Sequence, residues 1–152
     1  MKILKWTETP LGPLWGPLDS EGKLTAVQWG EAPEGCEAVQ GHPVQGLLEK
    51  YFAGEAVTGL PEHFTLQGTE FQRRVWAELM AIPYGRTVTY GDLAAQLGSA
   101  ARAVGGAVGA NPVPILVPCH RVMGQKGKMT GFSAPGGIET KTWLLRHEGV
   151  VC

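Results

Sequence analysis

The chain has 152 residues, 43% of them hydrophobic, which is enough to bury a core in one domain or two small ones. Its composition excludes a disordered or fibrous protein, and no apolar run approaches the ~18 residues of a membrane span, so no membrane association is expected. The net charge of −1 hides an asymmetry: residues 1–68 hold four Lys/Arg against nine Asp/Glu, and residues 69–152 hold nine against five. A basic C-terminal half can face phosphates while an acidic half faces away; the alternative is ordinary unevenness between two lobes.

Residues 1–15 contain Lys2, Lys5 and Glu8 and lack an apolar stretch and cleavage site, so no signal peptide is expected. Cys36, Cys119 and Cys152 are odd in number and widely spaced. They form neither a disulfide framework nor a zinc-ligand pattern, which points to a reduced, cytoplasmic protein with no metal. The 22 glycines and 11 prolines predict many turns. Residues 3–6 and 24–29 read as strands with a turn region at 10–13. Residues 30–41 are small and polar, an expected loop. Val44, Leu47, Leu48, Tyr51 and Phe52 have helical spacing, and residues 54–61 read as a linker. The division expected is an N-terminal α/β lobe, 1–65, and a second domain, 66–152.

The second lobe opens on Thr69-Glu70-Phe71-Gln72, a capping box, followed by Val75, Trp76 and Leu79 on one apolar face and a stop before Pro83. Thr89 can cap a second helix that ends at Gly98. A third, from 100 to about 109, ends at Asn111-Pro112. Two short helices joined through a glycine turn suggest a helix-turn-helix, though any small helical lobe fits. The third helix carries Gly105, Gly106 and Gly109, each worth about 1 kcal/mol of lost helix stability relative to Ala. Close approach to another surface, either a neighbouring helix or a nucleic-acid groove, is the compensation expected.

Residues 115–117 form an apolar run suited to a buried strand or extended segment, bounded by Pro112, Pro114 and Pro118. Cys119 follows, then His120 and Arg121. A thiol beside an imidazole and a guanidinium reads as a low-pKa nucleophile. In an extended chain neighbouring side chains diverge, so a water between Cys119 and His120 is expected rather than a direct bond. The alternative for a single cysteine is a packed apolar residue. Glu148 sits in the last turn of a helix predicted over 138–148, where the helix dipole disfavours a carboxylate; a partner such as His120 would hold it there, and a solvated glutamate is the alternative.

The string Asn111-Pro112-Val113-Pro114-Ile115-Leu116-Val117-Pro118-Cys119-His120-Arg121-Val122 resembles the active-site segment of the O6-alkylguanine-DNA alkyltransferases, the methylated-DNA–protein-cysteine methyltransferases. Agreement extends upstream through Phe71-Gln72, Val75-Trp76, Ile82-Pro83-Tyr84-Gly85, Thr89-Tyr90 and Arg102-Ala103-Val104-Gly105, and downstream through Gly136-Gly137, Lys141, Leu144-Leu145 and Glu148-Gly149. The resemblance implies an α+β protein: an N-terminal lobe with a small ribonuclease-H-like sheet, and a mostly helical C-terminal lobe with a winged-helix-like helix-turn-helix.

It implies repair by direct damage reversal, in which a monomer takes the alkyl group of O6-alkylguanine, and of O4-alkylthymine, from double-stranded DNA onto Cys119. His120 would act through a water, Glu148 would orient it, and Asn111 would hold the bend that presents the segment. Tyr90 would lie near the extruded nucleotide's phosphate and the base's N3. Arg102 would fill the vacated stack, and the helix with Ala103, Gly105, Gly106 and Ala107 would enter the minor groove. Pro114, Val122, Phe132 and Ser133 would line the base pocket, with no metal or organic cofactor. Ala134-Pro135 interrupt the usual run from Ser133 to the Gly136-Gly137 pair, and Phe132 stands where Tyr is common. Three other readings fit the residues less well. Alkyltransferase-like binders lack the acceptor cysteine, a transcription factor needs polar base-reading side chains on its recognition helix, and a Cys–His hydrolase needs an oxyanion hole that the sequence does not reveal.

Overall fold

A computed structural model of the chain describes residues 1–57, 61–130, 132 and 134–151. It divides into two compact units, Met1–Gln67 and Gly68–Cys152. In the first, β1 (Lys2–Trp6), β2 (Leu14–Pro17), β3 (Gln28–Trp29) and β4 (Glu37–Ala38) form one sheet in the order β3-β2-β1-β4. The β1–β2 and β2–β3 pairs are antiparallel and β1–β4 is parallel. In β1 Ile3, Leu4 and Trp6 are buried, Ile3 on the face opposite to Leu4 and Trp6, and Val44, Leu48 and Tyr51 of α1 (Pro43–Phe52) are buried as well. Trp6 Nε1 donates to Gln45 O at 3.0 Å, and Gln45 Nε2 returns a bond to Lys5 O at 3.1 Å.

The strand expected over 24–29 shrinks to Gln28–Trp29. Leu24 forms only isolated bridges, antiparallel to Leu18 and parallel to Phe64, giving its N–H to His63 O and accepting from Thr65 N. Gly16 in β2 allows that crowding, since a Cβ there would lie 2.3 Å from Ala26 O. β2 and β4 were not anticipated: β2 lies beyond the predicted turn, and β4 falls inside the predicted loop.

In the second unit α2 (Glu70–Met80) starts on the predicted capping box, with Thr69 Oγ1 accepting from Gln72 N and Gln72 Oε1 accepting from Thr69 N. Its Val75, Trp76 and Leu79 are buried, and Trp76 Nε1 donates to Ala107 O at 2.9 Å, tying α2 to α4 (Ala101–Gly109). Thr89 caps α3 (Tyr90–Leu97), which stops at Gly98 in the left-handed conformation (φ +64°) that glycine adopts at least cost. A short parallel pair, β5 (Val88–Thr89) with β6 (Val122–Met123), fixes the segment after Cys119 beside the start of α3. The chain closes on α5 (Ile138–His147), whose Lys141, Leu144 and Leu145 face inward.

Candidate active site

Between α4 and β6 the backbone folds into a bend. Asn111 clamps it: Nδ2 donates to Val117 O at 2.7 Å, and Oδ1 accepts from Val113 N at 3.0 Å. The expectation of an extended 115–117 is corrected here. Val117 N reaches Val113 O at 2.9 Å, and Ile115 lies at φ +74°. For a β-branched residue that conformation costs on the order of 1–3 kcal/mol, and it persists because the surroundings over-determine it. Pro112, Pro114 and Pro118 have no N–H to satisfy, which lets the chain turn without a ladder. Val113, Ile115, Leu116 and Val117 are all buried, so the apolar run is core, but core in a turn.

The bend delivers Cys119 at the start of a 3-10 turn, Cys119–Arg121. Cys119 is 8% exposed. It lines a cavity of about 230 Å³ together with Tyr90, Gly105, Asn111, Pro114 and Phe132. That opening keeps a nearly buried sulfur within reach of a ligand.

His120 and Arg121 turn the other way, into the protein, where Glu148 receives both. His120 Nε2 lies 2.6 Å from Glu148 Oε2, while Arg121 Nε and the Gly85 amide donate to Oε1 at 2.8 and 3.0 Å. All three side chains are buried or nearly so. Arg121 also donates to Ile82 O at 2.8 Å, and its guanidinium stands 5.7 Å from the Tyr84 ring centroid. The carboxylate at the dipole-disfavoured end of α5 is thus stabilised by two basic side chains and an amide. Burial holds the His120 imidazole below the usual histidine range, opposed by the hydrogen bond and charge of Glu148. A neutral ring that donates from Nε2 carries its lone pair on Nδ1.

The expectation of a low-pKa thiol fostered by its sequence neighbours is also corrected. Burial pushes the Cys119 thiol up, and what pulls it back is the Asn111 side chain, then the Lys141 charge, then backbone hydrogen bonds at Cys119 and His120. Lys141 is 1% exposed and donates from Nζ to Val122 O at 2.6 Å and to Thr130 Oγ1 at 3.3 Å. Burial lowers its own pKa, opposed by the Cys119 charge.

Of the residues singled out from sequence, Cys119, Asn111, Tyr90, Gly105, Pro114 and Phe132 meet around one cavity, and His120 and Glu148 pair next to it. Val122, expected in the pocket wall, is not among the lining residues; it is fully buried in the β5–β6 pair opposite Val88. Arg102, Ala103 and Gly106 are exposed on α4, and Ser133 lies outside the described residues. A Cβ on Gly106 would meet nothing within 4 Å, and one on Gly105 only the Tyr90 ring at 4.0 Å. Among the described residues, helix packing therefore does not require a glycine at 106, and at 105 only the Tyr90 ring is near. Sequence reasoning missed the parts played by Arg121, Lys141 and Thr130. Lys141 had a signal: with Leu144 and Leu145 it falls at i, i+3, i+4 on the apolar stripe of α5. Among the described residues, no group of three or more His, Cys, Asp or Glu is placed to hold a metal ion.

A cysteine opening into a cavity, a His–carboxylate pair beside it and the exposed Arg102, Ala103 and Gly106 of α4 make up a cysteine-centred site. Residues 70–150 match the family model of the 6-O-methylguanine DNA methyltransferase DNA-binding domain. A methylated-DNA–protein-cysteine methyltransferase of Salmonella typhimurium is 49% identical over 160 residues, covering 93% of this chain and 92% of that protein. One from Methanosarcina acetivorans is 40% identical over 152 residues, covering 93% and 95%. The crystal structure of Mycobacterium tuberculosis OGT in complex with DNA superposes with a TM-score of 0.81 at 40% identity, covering 97% of this chain and 92% of that one. The chain belongs to the methylated-DNA–protein-cysteine methyltransferase family, as a DNA-binding methyltransferase of DNA repair.

Proposed function

We propose that the protein reverses O6-alkylguanine, and also O4-alkylthymine, in duplex DNA by a single irreversible transfer to Cys119. The observation that carries this reading is the Cys119 thiol in the wall of a cavity that it shares with Gly105 of α4, a helix whose exposed Gly106 meets nothing within 4 Å among the described residues. We read the first unit as a ribonuclease-H-like sheet, and α3, α4 and the β5–β6 pair as a winged-helix-like helix-turn-helix. In this reading α4 lies in the minor groove, where a face of Ala and Gly fits and polar base-reading side chains are not needed. Arg102 fills the stack left by the everted base, offsetting the few kcal/mol of unstacking.

In the chemistry proposed, the lone pair on His120 Nδ1 takes the thiol proton through a water, with Glu148 stabilising the imidazolium. The sulfur forms a bond to the alkyl carbon as the bond from that carbon to O6 breaks. The electron pair passes into the purine as C6=O6 forms, and the ring nitrogen that gains charge accepts a hydrogen bond from Tyr90. Pro114, Phe132 and Ser133 shape the base site. A thioether has no ready route back to thiol, so each monomer reacts once and needs no cofactor. A reduced cytoplasmic setting suits an acceptor that must remain a thiol.

The test is to incubate the protein with duplex carrying radiolabelled O6-methylguanine and to map the label by peptide mass. One label per molecule, on Cys119, is expected; label elsewhere or repeated turnover would refute the reading. A second test separates fold from function. Gly106→Ala is expected to raise stability by about 1 kcal/mol, because helix propensity improves and nothing obstructs the methyl. It is expected to weaken binding to methylated duplex tenfold or more. A variant that is more stable and binds unchanged would remove α4 from the interface.

A further inference from the structure

Thr130 touches two polar groups of the site. Its Oγ1 accepts from Lys141 Nζ at 3.3 Å and lies 3.4 Å from Tyr90 Oη, which it can reach with its own proton. Lys141 is held at the other end by Val122 O. Thr130 is itself held in place: its Cγ2 packs so close to Gly124 that a Cβ there would stand 2.9 Å away, inside a turn closed by Gly124 N to Lys128 O at 2.8 Å.

The direction of donation along this chain is fixed by its first member. An ammonium has donors only, so Thr130 Oγ1 must accept from Lys141 and its single proton is left to point at Tyr90. Tyr90 Oη then accepts, and its own proton is free to point into the cavity that its ring lines beside Cys119. Hydrogen bonds in series from a buried cation polarise one another in the same sense.

We propose that Thr130 is a positioning residue: it relays the charge of Lys141 to Tyr90 and orients the tyrosine hydroxyl as a donor to the departing base. The inference rests on the repair reading above. When the carbon–O6 bond breaks, negative charge grows on the purine ring. A phenol proton already aimed into the pocket, and acidified from behind, stabilises that charge without reorganising. The relay acts on the leaving base, whereas His120 and Glu148 act on the nucleophile, so the two halves of the site are separable by mutation.

The measurement is the single-turnover rate of methyl transfer at saturating methylated duplex, with duplex affinity measured in parallel. Thr130→Val keeps the methyl against Gly124 and removes the hydroxyl; it is expected to slow transfer about five- to tenfold with affinity unchanged. Thr130→Ser, which keeps the hydroxyl, is expected to restore most of the rate. In a Tyr90→Phe background Thr130→Val is expected to have no further effect. A wild-type rate in Thr130→Val, a serine variant as slow as the valine one, or a full extra loss on top of Tyr90→Phe would each overturn the relay while leaving repair at Cys119 intact. Absence of label on Cys119 in the wild type would overturn the repair reading and the relay with it.

Discussion

Glu148→Ala is expected to cost about 3–5 kcal/mol of folding stability, the range for breaking a buried ion pair by removing one partner. The carboxylate accepts from the Arg121 guanidinium and the Gly85 amide on one oxygen and faces His120 on the other, with its own side chain fully buried. Alanine leaves the guanidinium with Ile82 O and the Tyr84 ring in place of a counter-charge. Set against a total of about 5–15 kcal/mol for a domain, the loss is a large fraction, and the urea midpoint should fall accordingly. Glu148→Gln keeps an acceptor for Gly85 and nearly the same volume, so it should retain more of the stability. Its methyl transfer should still be slow, because no anion remains to stabilise a protonated His120. Equal urea midpoints for wild type and the alanine variant would show that Glu148 is not the hub of this cluster.

What the sequence made legible was local. The Thr69–Gln72 capping box and the Gly98 stop occur where expected because their chemistry is complete within a few residues. The apolar residues of the 113–117 run were readable as buried, but not as a turn. Three prolines look the same beside a strand end as beside a bend, and the decisive contact, Asn111 across to Val117, is a side-chain bond that no periodicity reports. The short strands β2 and β4 were missed for a related reason: β4 is two exposed residues whose pairing with β1 is non-local.

At the site, proximity in sequence misled. Arg121 is two residues from Cys119, but it turns away to Glu148, and the cation that acts on the thiol comes from α5. Adjacent positions on a 3-10 turn face different surroundings, so charge counted along the chain is a poor guide to charge felt at an atom. Glu148 is the opposite case. Its place at a dipole-disfavoured helix end was itself the sign that partners had to exist, and Arg121 proved to be one beyond the His120 suggested by the sequence.

That reassignment makes Lys141→Met the most demanding test of the site. The thiol of Cys119 is raised by burial and drawn back in part by the Lys141 charge, while the Lys141 ammonium is lowered by burial and held up by the thiolate. Methionine has similar length and no charge, so the thiol should titrate at higher pH. Below that titration the rate follows the thiolate fraction, so a thiol that titrates higher transfers more slowly at fixed pH. Greater nucleophilicity of the more basic sulfur returns nearly half of that on a log scale, if alkyl transfer behaves as thiol exchange does. The same substitution silences the relay through Thr130, a second loss that does not depend on thiol ionisation. The combined loss exceeds that of Thr130→Val near pH 7 and shrinks as pH rises, ending below the Thr130→Val deficit once both thiols are ionised, because the more basic thiolate is the better nucleophile. Stability should change little, since an ammonium no longer has to be desolvated, although Val122 O loses its donor. A pH–rate profile of Lys141→Met that parallels the wild type at every pH would deny the lysine any hold on the thiol. One that overtakes the wild type at high pH, where both thiols are ionised, would leave the thiolate effect standing and remove the relay.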